Sequence, residues 1–260
     1  MSGRILLGPV DADGIVRVCI SHPAKLNALS VAMWRELRQA FEALSAPDCA
    51  ARVILVHGEG GTFAAGGDIE EFPQFRFDEE RLRHFHEDVV APALQALLDC
   101  PLPVIAQIEG ACVGGGLEIA ACCDIRIAGA SSRFGIPIAK LGFPLAPLEA
   151  QMVSRVLPLQ LLRELLLEAR LMEAPEALAR GVVSRVVPND EVAHEATRSA
   201  QRMARLSPQA ARLNKTTLRQ QAEGGLTPEQ RLAHYAYADS AEHREGLAAF
   251  LEKRPARFAP

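Results

Sequence analysis

No two cysteines of this 260-residue chain stand in C-x-x-C spacing, and no cysteine–histidine cluster has the spacing of a zinc site. The six cysteines, Cys19, Cys49, Cys100, Cys112, Cys122 and Cys123, sit singly or adjacent, mostly inside apolar runs. That pattern excludes a zinc module and a dithiol redox motif. It reads as buried free thiols kept in a reducing compartment. No apolar stretch reaches about 18 residues, so no membrane span and no membrane partner are expected. Met1-Ser-Gly-Arg4 leads straight into a strand-like run, without the apolar core or cleavage site of a secretory signal. A cytoplasmic protein is the expectation. A net charge of −4 lacks the polycationic signature that nucleic acid demands. Nucleotide motifs are missing too. Gly58-x-Gly60 is followed by Phe63 where a dinucleotide fingerprint needs its third glycine, and there is no P-loop and no G-x-S-x-G elbow.

What is present is an ordinary globular balance, 49% hydrophobic and 23% charged, enough for a large core in one α/β domain or a core with an appendage. Apolar runs at 5–9 and 15–20 flank Asp11-Ala-Asp-Gly14, a hairpin signal. Ser30 is placed to cap an amphipathic helix over 31–44. Strands are expected at 52–57, 104–108, 125–128, 133–135 and 182–187. A long helix is expected over 80–98, interrupted at Pro92. From 190 to 253 the pattern is helical, broken at Pro208 and Gly224-Gly225. Strands interleaved with helices, then helices alone, describe an α/β core with a helical C-terminal region. We set the expected boundary between 1–195 and 196–260.

Strand–glycine–helix occurs twice, at 53–69 and at 104–123, a weak internal repeat. In the second unit four glycines, Gly110, Gly114, Gly115 and Gly116, separate the strand from a small apolar helix that carries one carboxylate, Glu118. A lone GGG is most often a packing turn. A carboxylate in so apolar a setting needs a partner or a purpose. Parallel strands place their exits on one edge of the sheet, so N–H groups from Gly66-Gly67 and from Gly114–Gly116 would converge on one oxygen. Such a donor pair is an oxyanion hole, in which each donor is worth about 3–4 kcal/mol to a developing negative charge.

These loops carry a resemblance. Phe63-Ala-Ala-Gly-Gly-Asp-Ile69 and Gly110-Ala-Cys-Val-Gly-Gly-Gly-Leu-Glu118 resemble the two oxyanion loops of the crotonase (enoyl-CoA hydratase/isomerase) superfamily. The likeness runs on through Pro23–Ser30, Cys123–Ala128, Arg133-Phe-Gly-x-Pro137, Lys140-Leu-Gly142 and the tail Ala249–Arg254, nearly the whole chain. It implies a crotonase-like spiral of ββα repeats whose C-terminal helices build a homotrimer, often paired into a dimer of trimers. It implies coenzyme A as part of a thioester substrate; no tightly bound cofactor is expected, and the residue spacings point to no metal. Gly67 and Gly115 match the backbone donors, and Glu118 matches one of two catalytic glutamates. Lys25, Leu26 and Ala28 match the loop along coenzyme A, while Ala65, Asp68 and Ile69 match positions near its adenine and pantetheine. Phe250 and Lys253 match positions reaching the nucleotide, often that of a neighbouring subunit. Read alone, Lys25 and Lys253 are solvated lysines and Phe250 is packing.

One departure stands out. The hydratases place a second glutamate after Phe-Gly-x-Pro, and here that residue is Ile138. Isoleucine transfers no proton, which puts two-glutamate hydration in doubt. Glu149, in Pro144-Leu-Ala-Pro-Leu-Glu149, is the candidate substitute, although a helix N-terminal acid beside the dipole is the favoured reading. His84-x-His86 lies on a polar helix where i and i+2 share no face, so metal binding is not expected. Three functions compete: a hydratase/isomerase using Glu118 alone, a decarboxylase of a malonyl-type ester with Ile138 as apolar wall, and a non-catalytic acyl-CoA binder.

Overall fold

The computed structural model describes residues 2–258. The chain folds around a six-stranded sheet in the order β1 (Arg4–Leu7), β2 (Ile15–Ser21), β3 (Val53–Gly58), β4 (Val104–Ile108), β6 (Ile125–Gly129) and β9 (Arg185–Val187). The hairpin signal is realised: β1 and β2 pair antiparallel, Ile5 opposite Ile20. Every later pairing in this sheet is parallel, with Ile54 opposite Val104 and Ile105 opposite Ile125. A second, three-stranded sheet was not foreseen. It joins β5 (Ala111–Val113), β7 (Arg133–Gly135) and β8 (Met172–Glu173). A single bridge from Ala64 to Cys112 extends it. Thus 64, β5 and β7 repeat beside one another the order that β3, β4 and β6 hold in the large sheet, which is the geometry of stacked repeats.

Both faces of the parallel sheet are buried, as its continuous Val/Ile/Leu runs require. Ile54 and Val56 face the main core with α1 (Val31–Leu44) and the helical segment α2 (Glu79–His84), Phe85–Val90 and α3 (Ala91–Asp99). Val53 and Leu55 face the other way, onto Ala196, Ala200 and Ala204 of α8 (Val192–Ala204). Small residues on α8 allow it to lie close on the sheet. The helix therefore spans the expected boundary at 195/196 with its apolar stripe on the core. Ser30 caps α1, its Oγ accepting from the Met33 N–H at 3.2 Å.

The break near Pro92 takes a specific form. Residues Phe85–Val90 make a π turn, and Pro92 follows within the first turn of α3. Proline cannot donate and its ring excludes the carbonyl four residues back. Widening the preceding turn accommodates both and rotates the helix face. Helix α4 (Gly115–Cys122) follows β5. Next come α5 (Pro147–Ser154), α6 (Leu159–Leu167) and α7 (Ala174–Ala179). Beyond α8 lie α9 (Pro208–Ala222), α10 (Pro228–His234) and α11 (Ala241–Leu251). No helix among the described residues is long and apolar enough to cross a membrane.

Candidate active site

Parallel pairing of β3 and β4 brings their exit loops together above one edge of the sheet. The first loop is pinned to the segment before α1: Leu29 N–H donates to Gly66 O (2.8 Å), and Asp68 N–H donates to Leu29 O (2.8 Å). The second is pinned to β7, Gly114 N–H donating to Gly135 O (2.8 Å). Two turns need glycine. Gly66 has φ 110°, and Gly114, the residue before α4, has φ 52° and ψ −123°. Between these ties, the N–H groups of Gly67 and Gly115 donate to no protein acceptor among the described residues. Both glycines line one cavity. Side chains could not stand there freely: a Cβ on Gly115 would lie 2.7 Å from Trp34 Cζ2.

Glu118, in the first turn of α4, lines the same cavity and is 5% exposed. Burial pushes its carboxyl well above the usual carboxylate range, the nearby Glu149 adds to the rise, and Arg76 opposes it. Ile138 forms part of the wall.

Glu149 is corrected in part. It does stand in the first turn of α5, where the helix dipole favours an acid, but it also turns into the cavity and is 3% exposed. Its Oε1 lies 2.6 Å from His86 Nδ1, within hydrogen-bond distance. His86 comes from the π turn and lines the cavity as well. His84, two residues earlier, instead meets Asp88 at 2.9 Å in solvent. No group of three potential metal ligands occurs among the described residues.

Arg76 was not singled out from sequence. It enters the cavity from the turn after Ile69–Gln74, its guanidinium carbon 4.1 Å from the centroid of the Phe72 ring and 3.7 Å from that of Phe143. Burial lowers its pKa from arginine's usual value, against the pull of Glu149 and Glu118.

The remaining sequence candidates divide. Ala65 and Ile69 line this cavity with Gly67, Gly115 and Glu118. Lys25 and Asp68 do not. They border a neighbouring surface hollow, where the Lys25 ammonium meets Asp68 at 2.7 Å and Glu70 at 2.8 Å. Those two carboxylates raise the Lys25 pKa. Leu26 is exposed in a left-handed conformation, φ 50°, and the Ala28 carbonyl is held by His22 Nδ1 at 2.9 Å. Phe250 and Lys253, at the end of α11, are on the surface and line no part of the cavity.

The family model "Enoyl-CoA hydratase/isomerase" matches residues 11–260. The human protein named enoyl-CoA hydratase domain-containing protein 3, mitochondrial, is 33% identical over 249 residues, 93% of this chain and 80% of that one. A solved enoyl-CoA hydratase/carnithine racemase from Magnetospirillum magneticum superposes with TM-score 0.92 at 39% identity, covering 98% of this chain and 95% of the other. Pseudomonas aeruginosa DspI superposes with TM-score 0.87 at 30% identity, covering 98% and 97%.

Proposed function

The chain belongs to the enoyl-CoA hydratase/isomerase family, and from that premise we propose that it is an acyl-CoA enzyme acting through an enolate. The carrying observation is the convergence of two unpartnered glycine N–H groups and two buried carboxyls on one cavity. A thioester carbonyl oxygen accepting from Gly67 and Gly115 would gain most when it becomes an enolate oxygen, because the donors are already in place. Glu118 then handles the proton at carbon. Its raised pKa suits a group that must give a proton up as readily as it takes one.

Ile138 leaves one wall without the acid that two-glutamate hydration uses. Glu149 offers a carboxyl from α5 instead, oriented by His86. The reading is therefore a hydratase or isomerase with Glu118 as principal acid–base and Glu149 as its partner. The decarboxylase reading draws on Ile138 and Leu145, an apolar stretch of wall away from the Arg76 charge at Phe143 that would disfavour an ionised carboxylate at the reacting carbon. In either case coenzyme A belongs to the substrate. Its proposed contacts are Lys25, Leu26, Ala28, Ala65, Asp68 and Ile69. Phe250 and Lys253 would serve a neighbouring subunit of a homotrimer or dimer of trimers. Exposed Leu218, Leu232, Tyr235, Leu247 and Leu251 on the C-terminal helices support such an assembly. A reducing cytoplasm remains the proposed location.

A panel of thioesters tests the reading. Crotonyl-CoA or a 3-enoyl-CoA should turn over, and Glu118→Gln should abolish it. Bicarbonate release from methylmalonyl-CoA would favour the decarboxylase. Tight acyl-CoA binding with no turnover of any thioester would leave a binding protein and sink both enzymatic readings.

A further inference from the structure

Among the described residues Arg76 has no salt-bridge partner, although it borders the cavity proposed to take the acyl group. Among the described residues no carboxylate oxygen lies within 4.0 Å of its guanidinium nitrogens, and its side chain donates no hydrogen bond. Its Nε is buried and unpartnered. The two nearest candidates to neutralise it are otherwise engaged: Glu149 Oε1 is held by His86 at 2.6 Å, and burial favours the protonated form of Glu118. The Arg76 guanidinium carbon sits over the Phe72 and Phe143 rings, 4.1 and 3.7 Å from their centroids. Ring faces attract the charge but accept no in-plane hydrogen bond. The guanidinium N–H donors, a planar fork that matches a carboxylate, have no protein acceptor among the described residues. Leaving the buried Nε unpaired is costly, whereas a carboxylate bound through Nε and a terminal nitrogen would satisfy it.

We propose that Arg76 is a specificity-determining residue that selects acyl groups ending in a carboxylate, so that the preferred substrate is the half-thioester of a dicarboxylic acid. The inference rests on the acyl-CoA reading of the site. It places Arg76 at the acyl end rather than the nucleotide end, because it lines the cavity that Gly67, Gly115 and Glu118 share. Arg76 is not a catalytic residue in this scheme; it fixes the distal end of the chain and so the register of the reacting carbons.

Binding of unreactive saturated thioesters tests this separately from turnover. Butyryl-CoA against succinyl-CoA, valeryl-CoA against glutaryl-CoA, and hexanoyl-CoA against adipoyl-CoA form pairs matched in carbon number. Titration calorimetry of the full-length protein should show at least one pair in which the carboxylated member binds about tenfold tighter or more, the scale of a charged hydrogen-bonded pair. In Arg76→Met the ratio for that pair should collapse toward one, and Arg76→Lys should keep only part of it. If the neutral thioester binds as tightly in every pair, the inference is wrong while the acyl-CoA reading stands. If no thioester binds at all, both are wrong. The wild-type ratios decide even if Arg76→Met fails to fold.

Discussion

His86 reaches Glu149 across 63 residues of sequence, Nδ1 to Oε1 at 2.6 Å, and both side chains border the cavity that holds Glu118. The contact joins a π turn to the first turn of α5, so it depends on the local widening of one helix. On an unbroken α-helix the preceding residues would turn His86 to a different angle.

If the pair works as a unit, its members are not additive. Glu149→Gln should lower kcat by about 10²–10⁴, the range of a lost acid–base group. His86→Ala should cost less, and the double variant no more than Glu149→Gln alone. His84→Ala, an exposed neighbour, should match the wild type. Steady-state kinetics on whichever thioester turns over checks this. Additive losses would disconnect the two residues.

Glu118 should make stability depend on pH. An acid whose native pKa is raised binds its proton more tightly when folded. Its stabilising contribution is then complete below the unfolded value near 4.5 and is lost as pH climbs toward the raised native value. Melting temperatures at about pH 5 and about pH 8 should therefore diverge, with Glu118→Gln gaining on the wild type at the higher pH. Parallel curves for the two proteins would argue that Glu118 titrates normally.

Gly115→Ala probes the donor pair without touching a polar side chain. The new Cβ would sit 2.7 Å from Trp34 Cζ2 and 3.0 Å from Leu29 Cδ1, so the loop must shift. A displaced donor should reduce kcat by about 10²–10³. Trp34→Phe removes the closest atom, and the double variant should recover part of the loss in the same assay. An unimpaired Gly115→Ala enzyme would mean that this amide is no donor.

Ser30→Ala removes the cap of α1 and should cost about 1 kcal/mol in urea unfolding. An unchanged midpoint would show that solvent replaces the serine at Met33.

Much of this was legible from residues alone. Ser30 and the periodicity behind it predict α1 with both ends correct. The paired glycine exits at Gly67 and Gly115 follow from parallel strands whose runs are apolar on both faces. The second sheet was not legible, because β5 is three residues long and lies between Gly110 and Gly114, too short for any alternation to register. Nor was the pairing of His86 with Glu149. Reading i and i+2 as separate helix faces was sound for an α-helix, and the π turn before Pro92 changed the angle at which His86 emerges. Arg76 follows a proline-containing 3₁₀ segment in a charged stretch, where sequence suggests only a solvated loop. Its burial depends on Phe143, 67 residues downstream, and no local pattern reports such a meeting.

The two amides of Gly67 and Gly115 belong to the path of the chain, and no exchange of a neighbouring side chain deletes them. Arg76, Ile138 and Glu149 hang from three other segments, and each is a single codon away from something else. The proposed carbonyl-polarising donors are thus fixed by the backbone path, whereas the groups that would act on or select the acyl part are set by exchangeable side chains.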